Sequence, residues 1–345
     1  MIDIDKLSLA AFLHDIGKFA QRAEITLTKK IKDYNYTHAA FTSEVLDRYK
    51  NIFDLTDEEI DYAAMHHNLN PQMDDEYWII AASDRIASGF ERERFEEYNQ
   101  KSKFENFKKQ HLKSVFDENK VYPLKELAPE NIFTSKEGDY KTLWENFIKD
   151  LKNLKEKSIE NIDYLYKKYT SFIPSSTSFK LKDYDPVKAN IPLYEHSKTT
   201  AIFASAIAKL VENGDKSVID YYKYRKKEDF EKEPFLIIFG DFFGIQNFIF
   251  DNLKAKYASK ILRAKSAYIE IFTKTISKYI TKELNISEFS IIFTSAGKFE
   301  ILVHNTDEVK EKLTKIQEKL NKFCIREFYA KTGIGVGFVE CGIVH

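Results

Sequence analysis

The order of elements predicted for the last third of this sequence constrains its fold more than any other feature. EPFLIIFGD (233–241) is an apolar run typical of a buried strand, and a long helical pattern begins near Tyr257. EFSIIFTSAGKFEILVHN (288–305) predicts two strands joined by a turn at Ser295–Gly297. A second amphipathic helix and a last strand follow. This order, β-α-β-β-α-β, predicts a ferredoxin-like domain over residues 231–345.

The first 95 residues carry a different pattern, in which apolar side chains recur at helical spacing. Thr37 and Thr56 are placed to cap two of the predicted helices, and acidic residues follow Thr56, where they favour a helix start. Glycine (11) and proline (7) are scarce among the 345 residues, which also favours long helices. We therefore predict an all-α domain at 1–95, a mainly helical connector at 96–230 and an α+β fold for the whole chain.

Charge, cysteine content and hydropathy exclude several classes of protein. The net charge is −1, so no global basic field attracts the chain to nucleic acid. Two cysteines cannot make a disulfide framework, and the first residues lack the basic and apolar regions of a signal peptide. The most apolar run, residues 235–250, is too short and too polar to cross a bilayer. We expect a cytoplasmic protein without a membrane segment.

Histidine and aspartate side chains gather in the predicted helical domain. His14 and Asp15 are adjacent, His66 and His67 form a second pair, and Asp84 lies on a further predicted helix. Each pair alone is ordinarily a solvated surface feature, but imidazole and carboxylate together suit divalent transition ions. We therefore predict that these five residues hold a metal ion, which would lower the pKa of a bound water molecule.

Three segments of this domain resemble a known family. AAFLHDIGKFAQR (10–22), the His66–His67 pair and ASDRIASGFER (82–92) are similar to the HD phosphohydrolase domain, most closely that of the large subunit of type III-A CRISPR effector complexes (the Csm family). Ordinary HD domains have a metal-binding histidine well before the His-Asp pair, and the first 13 residues here contain none. That departure fits the circularly permuted HD domain of the CRISPR subunit. His38 either replaces the missing ligand or simply packs.

The resemblance implies a single-stranded DNA nuclease that uses a divalent transition metal, Mn, Ni or Co. His14, Asp15 and Lys18 would be the catalytic residues. Lys18 lies one helical turn beyond His14 and could stabilise negative charge on a phosphate. The candidate metal ligands are His14, Asp15, His38, His66, His67 and Asp84. Other subunits of an effector complex, with their guide RNA, would be the partners.

The predicted ferredoxin-like domain and the segment before it resemble the first Palm domain of the same subunit. The similar segments are PSST (174–177), IPLYEHSKTTAIFA (191–204), GDFFGIQNFIF (240–250), ASKILRAKSAYIEIF (258–272) and SAGKFEILVHN (295–305). In that family a second Palm makes cyclic oligoadenylate from ATP, and the first forms the other wall of the nucleotide pocket. Asp241, Gln246 and Arg263 are the candidate nucleotide-binding residues, with Mg²⁺ accompanying any bound nucleotide.

The hairpin turn of this Palm departs from the pattern of an active cyclase. It reads Ser295-Ala296-Gly297-Lys298, without the paired carboxylates that hold two Mg²⁺ ions. We therefore expect the non-catalytic half of a cyclase, which would use ATP only together with a second Palm. The chain as a whole resembles the N-terminal half of the family's large subunit.

Two other functions remain open on the sequence alone. An HD phosphohydrolase could act on small nucleotides instead of DNA, and the same ligands could persist in a non-catalytic platform for the effector complex. Metal content separates the platform from the two enzymes, because a platform needs no ion.

Overall fold

The computed structural model describes residues 2–92, 111–117, 119–132, 134, 136–176, 189–224, 233–251 and 257–342. The chain divides into two compact units, chiefly a helical unit (Lys6–Ala204) and a sheet unit (Ser205–Val344). The domain boundaries predicted from the sequence, at 1–95, 96–230 and 231–345, stay predictions. None of the described helices is long and apolar enough to cross a membrane.

The helical unit is built from short and medium helices. They are α1 (Ile4–Leu13), α2 (Ile16–Arg22), α3 (Thr37–Phe53), α4 (Asp57–Ala64), α5 (Asp75–Arg92), α6 (Pro129–Ile132), α7 (Tyr140–Lys152), α8 (Ile159–Thr170) and α9 (Leu193–Glu212), whose last residues belong to the sheet unit. Thr56 caps α4 as predicted, in a capping box with Glu59. Thr37 does not cap α3, because it is already the first helical residue and Tyr36 occupies the cap position.

The apolar spacing of residues 4–23 predicts a single helix, but the structure divides them into α1 and α2, separated by a turn at His14 and Asp15. The Thr42 hydroxyl of α3 donates to His14 O (2.7 Å) and accepts a hydrogen bond from Gly17 N (3.1 Å). It thereby satisfies backbone groups at the ends of the two helices. A Cβ at Gly17 would lie 1.9 Å from His38 O, so glycine is what allows α2 to approach α3 this closely.

The sheet unit has the predicted ferredoxin-like topology, and the predicted α+β fold class is confirmed. Its elements are α10 (Ser217–Tyr224), β1 (Phe235–Phe243), α11 (Ile245–Phe250), α12 (Ala258–Leu284), β2 (Ile291–Ser295), β3 (Lys298–His304), α13 (Asp307–Phe328) and β4 (Gly333–Cys341). The four described strands pair antiparallel in the order β2-β3-β1-β4. The β2–β3 turn has positive φ at Ala296 and Gly297, as a tight hairpin requires.

The alternation of side chains along β1 decides which face of the sheet forms the core. Leu236 and Phe242 are buried among apolar residues of α12 and α13, whereas Asp241 is exposed on the other face. Gly240 lies on the buried side, where the Phe299 ring fills the space that a side chain would need. A Cβ at Gly240 would lie 2.1 Å from that ring.

Replacing Gly240 by alanine should destabilise the sheet unit by about 1–3 kcal/mol, the usual range for overpacking, because the new Cβ would collide with Phe299. Gly335→Ala on the neighbouring strand β4 is the matched control, since nothing lies within 4 Å of a Cβ there. Thermal unfolding followed by circular dichroism measures both. A melting temperature of Gly240→Ala equal to that of the control would contradict this packing.

Candidate metal centre

Four side chains from distant parts of the sequence meet inside the helical unit. His14 and Asp15 lie in the turn between α1 and α2, Asp84 lies in α5, and His196 lies near the start of α9. Their ligand atoms all lie within 4.8 Å of one another, and we call these residues the buried quartet. Each is at most 3% exposed, so their charges are held away from bulk water.

Two imidazoles face two carboxylates in the buried quartet. His14 Nε2 lies 3.4 Å from Asp15 Oδ2 and 3.6 Å from Asp84 Oδ1. His196 Nε2 lies 3.2 Å from Asp15 Oδ2 and 3.3 Å from Asp84 Oδ1. Tetrahedral ligands at about 2.0–2.2 Å from one ion are roughly 3.3–3.6 Å from each other. The separations in the quartet are therefore those of atoms that can share one ion.

Backbone hydrogen bonds fix which ring nitrogen two of the histidines present. His14 Nδ1 donates to Ala11 O (2.7 Å), and His66 Nδ1 donates to Ala63 O (2.6 Å). A carbonyl oxygen only accepts, so Nδ1 carries the proton in both rings and Nε2 has the lone pair when the ring is neutral. Histidines that bind metal ions usually have such a bond on their other nitrogen.

Three further histidines form a second group beside the quartet. His38 lies in the first turn of α3, and His66 and His67 lie just after α4. Their ligand atoms also lie within 4.8 Å of one another, and we call them the histidine triad. Asp15 adjoins both groups, because its Oδ1 lies 3.5 Å from His38 Nε2 while its Oδ2 faces His14.

Several buried polar atoms of the two groups have no hydrogen-bond partner among the residues that the structure describes. They are Nε2 of His14, Oδ1 of Asp15, and Nε2 of His38 and His66. Each polar atom buried without a partner lowers the free energy of unfolding by about 1–3 kcal/mol. All four atoms are of the kinds that bind divalent transition ions, so the residues present fit such an ion.

Burial keeps the imidazoles of the histidine triad neutral. It lowers the pKa of His38 to about 3 and the pKa of His66 to about 4, and it also lowers the pKa of His67. Neutral imidazole is the form that binds a metal ion. At neutral pH these three rings can therefore bind a metal ion without first releasing a proton.

The quartet shows the opposite tendency, because its carboxylates attract positive charge. Burial alone would lower the pKa of His14, but Asp15 and Asp84 outweigh it and raise that pKa to about 9. The pKa of His196 is raised as well, since the same carboxylates outweigh its burial. Burial would raise the pKa of Asp15, but the Lys18 ammonium, 2.5 Å from Oδ2, and His14 hold it well below its usual value.

The residues predicted as ligands all lie in these two groups: His14, Asp15, Asp84, His38, His66 and His67. His196 was missed, because its segment IPLYEHSKTTAIFA is similar to the Palm and was not considered for the HD site. A signal was available in the sequence. Residues 1–13 contain no histidine, so the resemblance directed the search for a further ligand to the later histidines, of which His196 is one. His38 was the candidate for that place, but the histidine that adjoins His14 and both carboxylates of the quartet is His196.

The three residues predicted to bind a nucleotide lie in the sheet unit. Asp241 is exposed on β1, and the Lys298 ammonium lies 3.9 Å from its Oδ2. Gln246 lies in α11, and Arg263 in α12 donates from Nε to Ser259 O (3.3 Å). Within the described parts of the chain, neither group of possible ion ligands includes Asp241. Nucleotide binding by these residues stays a prediction.

Comparison with known proteins agrees with both halves of this architecture. A family model described as HD domain matches residues 1–89, and one described as Csm1 subunit domain B matches residues 234–344. A Methanocaldococcus jannaschii protein, named CRISPR system single-strand-specific deoxyribonuclease Cas10/Csm1 (subtype III-A), is 32% identical over 378 aligned positions, which cover 98% of this chain and 45% of that protein. The chain is homologous to Cas10/Csm1 proteins along nearly its whole length. An HD domain implies a divalent metal ion, in agreement with the donor atoms found here.

Other Cas10/Csm1 proteins give the same result. The Thermococcus onnurineus protein of the same name is 30% identical over 327 positions, covering 92% of this chain and 38% of that protein. The crystal structure of Csm1 in T. onnurineus matches 99% of this chain with a TM-score of 0.67 and 25% identity. An apo Csm1–Csm4 cassette matches 99% with a TM-score of 0.70 and 23% identity. The chain spans about half the length of the Cas10/Csm1 relatives it matches.

Thr42→Val should destabilise the helical unit by about 1–3 kcal/mol, because valine keeps the shape of threonine but leaves His14 O and Gly17 N without the hydroxyl. Thr42→Ser keeps the hydroxyl and is the matched control. Chemical denaturation measures the free energy of unfolding of both variants. Equal losses in the two would show that the methyl group, and not the hydroxyl, stabilises the turn.

Proposed function

We propose that this chain is the HD nuclease part of a type III-A CRISPR effector large subunit and that it hydrolyses single-stranded DNA with divalent transition metal ions. The observation that carries the proposal is the convergence of buried imidazole and carboxylate atoms in the quartet and the adjoining triad. The names of the curated relatives support single-stranded DNA as the substrate.

The two groups would hold two ions with Asp15 between them. Asp15 presents Oδ2 to His14 and Oδ1 to His38, so one carboxylate can serve both groups. Nitrogen ligands outnumber oxygen ligands, which favours Mn, Ni or Co over Mg. Bound ions would make a coordinated water molecule nucleophilic and neutralise negative charge on the phosphate.

Lys18 would act on the phosphate. Its ammonium lies beside Asp15 at the edge of the quartet, and 12% of its side chain is exposed. The flexible lysine stem allows the ammonium to turn from Asp15 towards phosphate oxygens, where it would stabilise the negative charge that develops during attack. Asp15 would then be neutralised by the ions that it ligates.

The sheet unit would be the first Palm of such a subunit, and it would not make cyclic oligoadenylate by itself. Lys298 ends the hairpin turn, directly opposite Asp241 in the β1–β3 register, where an active cyclase needs paired carboxylates. One carboxylate cannot hold two Mg²⁺ ions. We propose that this unit uses ATP and Mg²⁺ only with a second Palm, and that the other subunits of an effector complex with guide RNA are its partners.

Metal content tests the two-ion centre. After loading with Mn²⁺ or Ni²⁺ and gel filtration, elemental analysis should find about two ions per chain. Asp15→Asn should lose both ions because Asp15 adjoins both groups, whereas His67→Ala should lose only one. His111→Ala is the matched control, since His111 belongs to the same unit but to neither group. Two ions retained by Asp15→Asn would contradict a shared carboxylate.

Hydrolysis of labelled DNA tests the activity. With Mn²⁺, Ni²⁺ or Co²⁺, the metal-loaded chain should cleave single-stranded DNA and cleave duplex DNA poorly, because a flexible strand can bend to reach ions held among helices. His14→Ala with Asp15→Ala should lower the rate by more than about 100-fold, since even outer partners of a metal site cost 10–100-fold.

The same assay separates the other two functions. Faster hydrolysis of mononucleotides than of DNA would identify a nucleotide phosphohydrolase instead. No hydrolysis of either substrate by the metal-loaded chain would leave the assembly platform as the function.

A further inference from the structure

The two metal-binding groups differ in their access to solvent. All four members of the quartet are buried. In the triad, His66 is buried, but His38 and His67 are partly exposed. Within the described part of the helical unit, the centre therefore comes closest to solvent at His38 and His67, which we call its open side, and a substrate phosphate would approach from there.

Tyr36 lies at this open side. Its ring centroid is 4.6 Å from that of His67 and 5.6 Å from that of His38, so one side of the tyrosine ring covers the two exposed members of the triad. The residue is 39% exposed, which leaves another part of the ring facing solvent. An aromatic ring directly beside a phosphodiester-binding centre is within reach of the base that belongs to the bound phosphate.

Side-chain amides hold the segment of Tyr36 in place. Asn35 donates from Nδ2 to His67 O (3.3 Å) and to Asn68 Oδ1 (2.8 Å). Asn68 donates from Nδ2 to Asp33 O (3.0 Å). These bonds join the segment before α3 to the segment after α4. The backbone beside Tyr36 is therefore held in place before a ligand binds, which lowers the entropy cost of placing its ring.

The same segment also carries positive charge. Lys30 and Lys32 are exposed and lie within six residues of Tyr36, and they outnumber the one exposed acid between them and Tyr36, Asp33. Proteins bind single strands with two elements: lysines that contact the phosphates, and aromatic rings that stack on the bases. The net charge of the chain is only −1, so such a local arrangement is the way in which this chain can attract a polyanion.

We propose that Tyr36 is a base-stacking residue that positions single-stranded DNA at the metal centre, with Lys30 and Lys32 of the same segment for the neighbouring phosphates. The proposal rests on the proposed function and adds a source of its strand selectivity. A base inside a duplex is stacked on both faces and paired along one edge, so a base of a flexible single strand can lay its face on the Tyr36 ring far more readily.

Three variants test the proposal. Tyr36→Ala removes the ring, Tyr36→Phe keeps it, and Tyr164→Ala removes another exposed tyrosine of the helical unit, 70% exposed on α8. The full chain is mixed with fluorescein-labelled oligothymidylate in EDTA, and fluorescence anisotropy gives the Kd. Tyr36→Ala should raise the Kd by about 5- to 100-fold, whereas the other two variants should stay within about twofold of the wild type.

Two further measurements separate stacking from a purely structural role. An oligonucleotide that contains 2-aminopurine should lose emission on the wild type and on Tyr36→Phe, but not on Tyr36→Ala, because stacking quenches this base. Metal content should be the same in all variants. Unchanged DNA affinity in Tyr36→Ala would overturn the proposal. A loss of metal in both Tyr36→Ala and Tyr36→Phe would overturn it as well.

A separate assay tests the proposed nuclease activity independently of Tyr36. Hydrolysis of bis(p-nitrophenyl) phosphate, a diester without a base, reports on the metal centre alone. Wild type that holds ions but hydrolyses neither this diester nor DNA would contradict the nuclease, whatever Tyr36 does. A different result would overturn only the role of Tyr36. In that case the wild type cleaves DNA, and Tyr36→Ala does not change the ratio of kcat/KM for DNA to kcat/KM for the diester.

Discussion

A buried carboxylate that must be neutralised, that of Asp15, is the constraint on which the helical unit depends. Removing a charge from water is costly unless opposite charge or hydrogen bonds compensate for it. Asp15 is compensated from several directions, by the Lys18 ammonium, by His14 and by His196. Those partners come from the α1–α2 segment and from α9, so the charge of one side chain fixes how elements distant in the sequence must pack.

The backbone around Asp15 is arranged to meet this constraint. A continuous helix would turn His14 and Asp15 about 100° apart, so that both could reach one ion only from a shared edge. The turn between α1 and α2 removes that restriction, and the Thr42 hydroxyl compensates the backbone groups that the turn exposes. The hydrogen bond from His14 Nδ1 to Ala11 O then aims Nε2 at the carboxylates. Glycine at position 17 is needed because α3 lies so close.

The parts of the structure that could be predicted from sequence are those encoded by local patterns. The strands and the β2–β3 turn of the sheet unit follow from apolar runs and from a Ser-Ala-Gly turn, so the topology was predicted in full. The break at His14 could not be, because it depends on a hydroxyl in α3 and on helix packing. His196 was missed because its segment resembles the Palm, and it is the packing of α9 that brings this histidine to Asp15.

Asp241 and the buried quartet differ in the medium that surrounds them, and this difference bears on how strongly each could bind a cation. The side chains of Asp241 and Lys298 are 59% and 61% exposed, so water screens their attraction and a cation gains little there. In the quartet, Asp15 and Asp84 act in a low dielectric, where a cation between them is bound far more strongly. The helical unit therefore brings together, within itself, side chains that fit a divalent ion. Asp241 would bind a cation comparably only if water were excluded from it and carboxylates were added, which agrees with the proposal that nucleotide chemistry at the sheet unit needs a second Palm.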